Sequence, residues 1–154
     1  MPNTTRKTLY EKIFSELSND ATLKSYVKKF SRALANDVTK MSWPCIVFGW
    51  AGDSLSPLTI GMTGGKDFYE YNFLIEIYVY GLADDFVIIG QGANKGILDI
   101  IEDVENVVLW NRFDNLITKP AQITRVTPVG TQIGSNFYYS AELILTCTDY
   151  RTRS

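Results

Sequence analysis

The chain has 154 residues, 45% hydrophobic and 21% charged, which fits one domain with enough apolar side chains for a real core. It contains no histidine, so a Ser-His-Asp triad, a Cys-His dyad and every His-containing zinc site are excluded. The net charge of −2 carries no signature of nucleic-acid binding.

The total conceals an asymmetry: residues 1–40 sum to +4, residues 41–120 to −7 and the remainder to +1. A basic entry segment followed by an acidic middle is suited to matching charges between neighbouring copies of one chain, although scatter over solvated faces explains it equally well. Two cysteines, Cys45 and Cys147, are too few for a disulfide scaffold and lie among apolar residues, as buried thiols do. No run of 18 apolar residues exists, and Met1 to Lys7 lacks the apolar core of a signal peptide. The expectation is a protein made and kept in a cytoplasm.

Thr4 to Leu17 is predicted to be an amphipathic helix, with Leu9, Ile13 and Leu17 inward and Tyr10 and Phe14 widening the stripe. Thr8 and Glu11 have capping-box spacing, and Thr4 or Thr5 is an equally good start. Ser18-Asn19-Asp20 breaks this helix and Asp20 caps a second one. Leu23, Val27, Phe30 and Leu34 keep helical spacing, which predicts a helix from Ala21 to about Leu34.

Trp43-Pro44 ends any helix, and Cys45 to Phe48 reads as a short strand. Residues 51–66, with four glycines and a proline, read as a long loop or a hairpin tip. Asp67 to Tyr80 is the clearest strand, with Tyr71, Phe73, Ile75, Ile77 and Val79 on one face. Residues 94–110 form the best helix, its apolar arc made by Ile97, Ile100, Ile101, Val104, Val107 and Val108, with Leu98 and Leu109 on a lateral stripe. Two strands close the chain, Gln122 to Val129 and Asn136 to Asp149, joined through 131–135 as a hairpin. The expected fold is α+β, an antiparallel sheet of about four strands in two hairpins packed against two to three helices. Residues 1–150 form one domain, and 151–154 a short polar tail with no reason to be ordered.

Motifs for chemistry fail one by one. Gly61 to Lys66 invites a phosphate-loop reading, but position 60 is Ile, Lys66 is followed by Asp67, and a strand comes next. Gly90-Gln91-Gly92-Ala93-Asn94-Lys95-Gly96 precedes a helix, yet the dinucleotide fingerprint needs its third glycine at position 95. The carboxylates Asp99, Glu102, Asp103 and Glu105 spread over the solvent side of a helix, and Ser54 and Ser135 lack a nucleophile elbow. No cofactor and no metal is expected. What stands out is Trp50, Tyr78, Tyr80 and Trp110 off the main core stripes, where aromatic residues serve either interfaces or a second core layer.

In this order of elements the chain resembles the tail terminator (tail-completion, neck) proteins of long-tailed bacteriophages. The resemblance is carried by the helix of Leu9, Ile13 and Leu17, the strand opening Trp43-Pro44-Cys45-Ile46-Val47, the strand Tyr71 to Val79, the acidic helix Ile97 to Val108, and a closing β-pair ending at Cys147. It covers most of the chain as a pattern of sizes and order. It implies a non-enzymatic virion subunit, found at the tail–neck junction and in the host cytoplasm during assembly. Six copies would form a ring that caps the tail tube, ends its polymerisation and presents the head-docking surface. The implied partners are further copies of itself, the tail tube protein and a neck or head-completion protein, with DNA only passing through the lumen and no membrane.

A closed ring needs one patch meeting a different patch on the next copy. The candidates for it are Lys28, Lys29 and Arg32 against Asp99, Glu102 and Asp103, with Leu98 and Leu109 beside them. The three acids also offer a lumen surface to which DNA does not stick. The expected contact with tube or neck is the 51–66 loop, through Asp53, Ser54, Leu55, Leu58, Met62 and Lys66. Three other readings remain: a head-completion or neck connector protein, a plain bacterial interaction domain, and, from another class, a small nucleotide-binding enzyme using Gly90 to Gly96.

Overall fold

The computed structural model describes residues 6–32, 44–57, 66–81, 88–90, 94–133 and 136–152. The elements are α1 (Arg6–Asn19), α2 (Ala21–Tyr26), β1 (Lys29–Ser31), β2 (Cys45–Pro57), β3 (Lys66–Gly81), α3 (Ile97–Val108), β4 (Gln122–Ile133) and β5 (Asn136–Thr152). They build one sheet in the order β1-β2-β3-β5-β4. The α+β expectation holds. The two hairpins are β2–β3 and β4–β5, and β3 pairs with β5 to join them into one antiparallel block.

β1 is a fifth strand that periodicity does not reveal, and it is parallel to β2 through Lys29↔Cys45, Phe30↔Ile46 and Ser31↔Val47. The helix expected to reach about Leu34 therefore stops at Tyr26. Val27 is extended (φ −71°, ψ 123°), the Lys28 N–H donates to the Pro44 carbonyl at 2.9 Å, and Phe30 enters the sheet. The spacing of Val27 and Phe30 is real, because both meet the core, but a remote strand satisfies their backbone instead of the next helical turn. Residues beyond 32 in that expectation, Leu34 included, lie outside the described residues.

Other boundaries differ as well. The 51–66 segment is not a loop throughout: β2 continues to Pro57 and β3 begins at Lys66, paired through Pro57↔Asp67. Glycine conceals this strand because Gly52 (φ +104°) serves a bulge between Trp50 and Gly52, a backbone that residues with a Cβ rarely adopt. The expected polar tail is also drawn into the sheet, as Arg151 and Thr152 pair with Asp67 and Lys66. α3 is shorter than the 94–110 expected, and Thr8 lies inside α1 rather than capping it.

The helices cover one face of the sheet. Register places Ile46 and Phe48 of β2, Tyr71, Phe73, Ile75 and Ile77 of β3, and Leu143, Leu145 and Cys147 of β5 on that face. Against them pack Leu9, Ile13 and Leu17 of α1, Leu23 of α2, and Ile97, Ile100, Val104 and Val108 of α3. Phe48 stacks on Phe73 at 5.6 Å, and Tyr10 closes over Phe48 at 4.8 Å. Burying each such side chain stabilises the fold by about 1.5–3 kcal/mol. The opposite face holds Cys45, Val47 and Glu76, all buried, and Tyr78, half-buried.

Candidate functional site

Among the described residues no group of three His, Cys, Asp or Glu side chains is placed to hold a metal ion, and no helix is long and apolar enough to cross a membrane. Gly90 and Gly96 form a packing device. A Cβ on Gly96 would lie 2.3 Å from the Gly90 nitrogen and 2.4 Å from the Ile88 carbonyl oxygen, so the two backbones touch. Residues 88 and 89 are helical, and the Gly96 N–H at the entry to α3 donates to Asp99 Oδ2 at 3.2 Å. A carboxylate thus occupies the place where a phosphate would need an open donor.

Three of the six charged residues assigned to subunit contact in the sequence, Arg32, Asp99 and Asp103, have found partners inside the monomer. Asp103 receives the Tyr26 hydroxyl at 2.7 Å and the Lys95 ammonium at 2.8 Å, and Lys95 lies 5.0 Å from the Tyr26 ring centre. Burial alone pushes the Asp103 carboxyl up, but the Lys95 and Tyr26 bonds hold it below the usual carboxylate range. Asp99 caps α3, while Glu102 is exposed. Arg32 pairs with Glu11 at 2.8 Å and lies 4.3 Å from the Phe14 ring centre, which fastens the end of β1 to α1. Lys28 and Lys29 are exposed. Among the described residues no ion pair joins Lys28, Lys29 or Arg32 to Asp99, Glu102 or Asp103. Leu98 stands 51% exposed on α3, and Leu109 is half-buried where its N–H closes the helix on Glu105.

Of the expected contact loop, residues 51–57 and 66 are strand, and 58–65 lie outside the described residues. Asp53, Ser54 and Leu55 lie on β2 and Lys66 on β3, while Leu58 and Met62 lie outside the described residues. Asp53 sits beside the bulge, where it accepts the Trp50 indole N–H at 2.8 Å and pairs with the Arg6 guanidinium, which also covers the Trp50 ring. Ser54 reaches Glu70 across the hairpin at 3.4 Å.

The off-core aromatics divide in two. Tyr78 is half-buried and donates its hydroxyl to the buried Glu76, with burial and that carboxylate raising its phenol well above the ordinary value. Trp50, Tyr80 and Trp110 are exposed, Trp110 at 69%.

Sequence reasoning missed two surface features. One is the turn after α3, where Trp110, Phe113, Asp114 and Asn115 all have positive φ, between 49° and 64°. Asn111 holds it: its side chain donates to Glu16 at 2.6 Å and to the Val107 carbonyl at 3.0 Å, and accepts the Phe113 N–H at 2.7 Å. The signal for it was the Asn111 and Asp114-Asn115 content, since Asn and Asp tolerate left-handed backbone. The other is β4, an edge strand carrying exposed Val126 and Val129.

No family model matches the sequence, and no curated protein matches it either. Among solved structures the chain is similar to one from the virion of a native gene transfer agent particle, with a TM-score of 0.56 and 9% identity. That likeness covers 93% of this chain and 95% of the other, and at such identity it is a likeness of fold.

Proposed function

We propose that this chain is a structural protein of a phage-like particle. In this reading its copies form a ring that caps the tail tube, ends tube polymerisation and provides the surface that docks the head. One observation carries the particle assignment: the fold likeness to a chain of a gene transfer agent virion runs end to end over both chains. The tail terminator role within the particle rests on the order and size of the elements noted in the sequence. Stoichiometric binding without catalysis agrees with Gly96 and Asp99 closing the α3 entry, and with the engagement of Asp103 by Lys95 and Tyr26.

Lys28 and Lys29 on the β1 side, and Glu102 on α3, are the charges we assign to contacts between subunits. The far end of the β2–β3 hairpin is the part we assign to the tube, and tube protein and a neck protein are the partners. Negative-stain imaging of the concentrated chain, alone and mixed with tube segments of its particle, tests this. Six-fold rings on tube ends are expected. Binding to emptied heads but never to tubes would move the chain to the neck connector class, and neither binding nor rings would overturn the proposal.

A further inference from the structure

Among the described residues the sheet ends in two open edges, and β4 pairs with β5 alone. On the other side β1 covers β2 only from Cys45 to Val47, so from Phe48 to Pro57 β2 has no outer neighbour among the described residues. Each edge presents a row of backbone N–H and C=O groups that either bind water or recruit another strand. β4 adds exposed valines at 126 and 129 to a twelve-residue edge, a combination that calls for a cover.

The pairings fix the polarity of these edges. β2 is antiparallel to β3, β3 to β5 and β5 to β4, so β2 and β4 run in opposite directions. A second copy set beside the first in the same orientation therefore brings its β4 antiparallel to the first copy's β2. We infer that these two edges pair between copies, extending one antiparallel sheet from subunit to subunit. This rests on the ring proposed above and names its contact.

The stagger of the edges agrees with closure. The open part of β2 lies at the height of Asp67 to Ile75 of β3, whereas β4 runs from the height of Asn72 to that of Gly81. Their midpoints differ by about five to six residues, or about 18 Å along the strands, against about 19 Å across four strand spacings. Pure rotation about a ring axis then inclines the strands by about 43° to that axis, within the ~35–45° of closed barrels. Parallel edges or a stagger near zero would not have given this. The bulges at Trp50–Gly52 and Ile123–Arg125 add local twist in both edge strands. Pro128 removes one donor from β4 and leaves its carbonyl.

Amide hydrogen exchange on the full chain tests the pairing, comparing assembled protein, with tube segments if these are needed, with protein diluted to the monomer. The outward amides of 48–57 and of β4 are expected to exchange at least tenfold more slowly in the assembly. Val126→Lys with Val129→Lys is expected to abolish assembly while the monomer keeps its thermal melt, since both side chains are exposed. Rings whose edge amides exchange as in the monomer would overturn the pairing and leave the ring standing. Open filaments with protected edges would keep the pairing and overturn the ring. A chain that stays monomeric in every condition would overturn both.

Discussion

The Tyr26 hydroxyl donates to the Asp103 carboxylate at 2.7 Å across 77 positions of sequence, fastening α2 to α3 above the sheet. Lys95 completes the group at 2.8 Å. The arrangement is half-buried, so its charges are shielded from solvent more than a surface pair and tie the helical layer together.

This trio gives the stability a defined pH dependence. Asp103 is held below its ordinary value, so its contribution is complete above about pH 4 and is lost as pH falls through the folded value. Tyr26 is raised, by burial first and then by the Asp103 bond, so its contribution is complete below about pH 10 and is lost as pH climbs further. With no histidine in the chain, the urea midpoint is expected to stay flat from about pH 5 to about pH 8, above which the two buried thiols, both raised by burial, begin to lower it. Asp103→Asn should make the acid limb shallower and Tyr26→Phe the alkaline limb, to which Tyr78 and the two thiols also contribute; unchanged limbs in both variants would refute the assignment.

Gly96 and Gly49 separate close approach from mere absence of a side chain. A Cβ at Gly96 runs into the backbone of Ile88 and Gly90, whereas one at Gly49 meets nothing within 4 Å. Gly96→Ala is expected to cost about 1–3 kcal/mol by overpacking. Gly49→Ala should leave stability unchanged or raise it by about 0.4–1 kcal/mol. Denaturant titrations of the pair decide it.

Asn111→Ala removes three hydrogen bonds that hold the left-handed turn. A loss of about 2–3 kcal/mol is expected, because one of the bonds is to a carboxylate and another satisfies the Phe113 N–H. Asn111→Asp keeps the Phe113 acceptor but sets a negative charge against Glu16, and should fall at least as far. A calorimetric melt reads both.

The basic residues near β1 should behave unequally. Arg32→Glu breaks the pair with Glu11 and the contact with Phe14, and is expected to destabilise the monomer by about 1 kcal/mol. Lys28→Glu with Lys29→Glu should leave the monomer within about 0.5 kcal/mol and weaken only subunit association. Sedimentation velocity beside a urea titration separates the two effects.

How far the sequence carried this depends on the range of each interaction. The alternation of Tyr71 to Val79 and the apolar arc of Ile97 to Val108 identify β3 and α3 unaided, because a period within one segment suffices. β1 is not legible: three residues show no alternation, and their partner begins at Cys45, 16 positions on. The second half of β2 is hidden because Gly52, Ser54, Ser56 and Pro57 are turn residues by type, and only pairing with β3 makes them strand. The charge segments were visible, but not that Arg32 is taken by Glu11 and Asp103 by Lys95 and Tyr26. Those partners are fixed by the packing of α1, α2 and α3, which no local pattern encodes.

The two thiols lie on opposite faces of one sheet, Cys147 beneath the helices and Cys45 on the other side. Burial pushes Cys45 up to about 11 and Cys147 up to about 12, so neither is a thiolate at neutral pH. The protein thus carries two native clocks. A thiol reagent in excess reaches Cys147 only when the helical layer lifts, and Cys45 only when the opposite face opens, so their separate labelling rates time each side's excursions without any added probe.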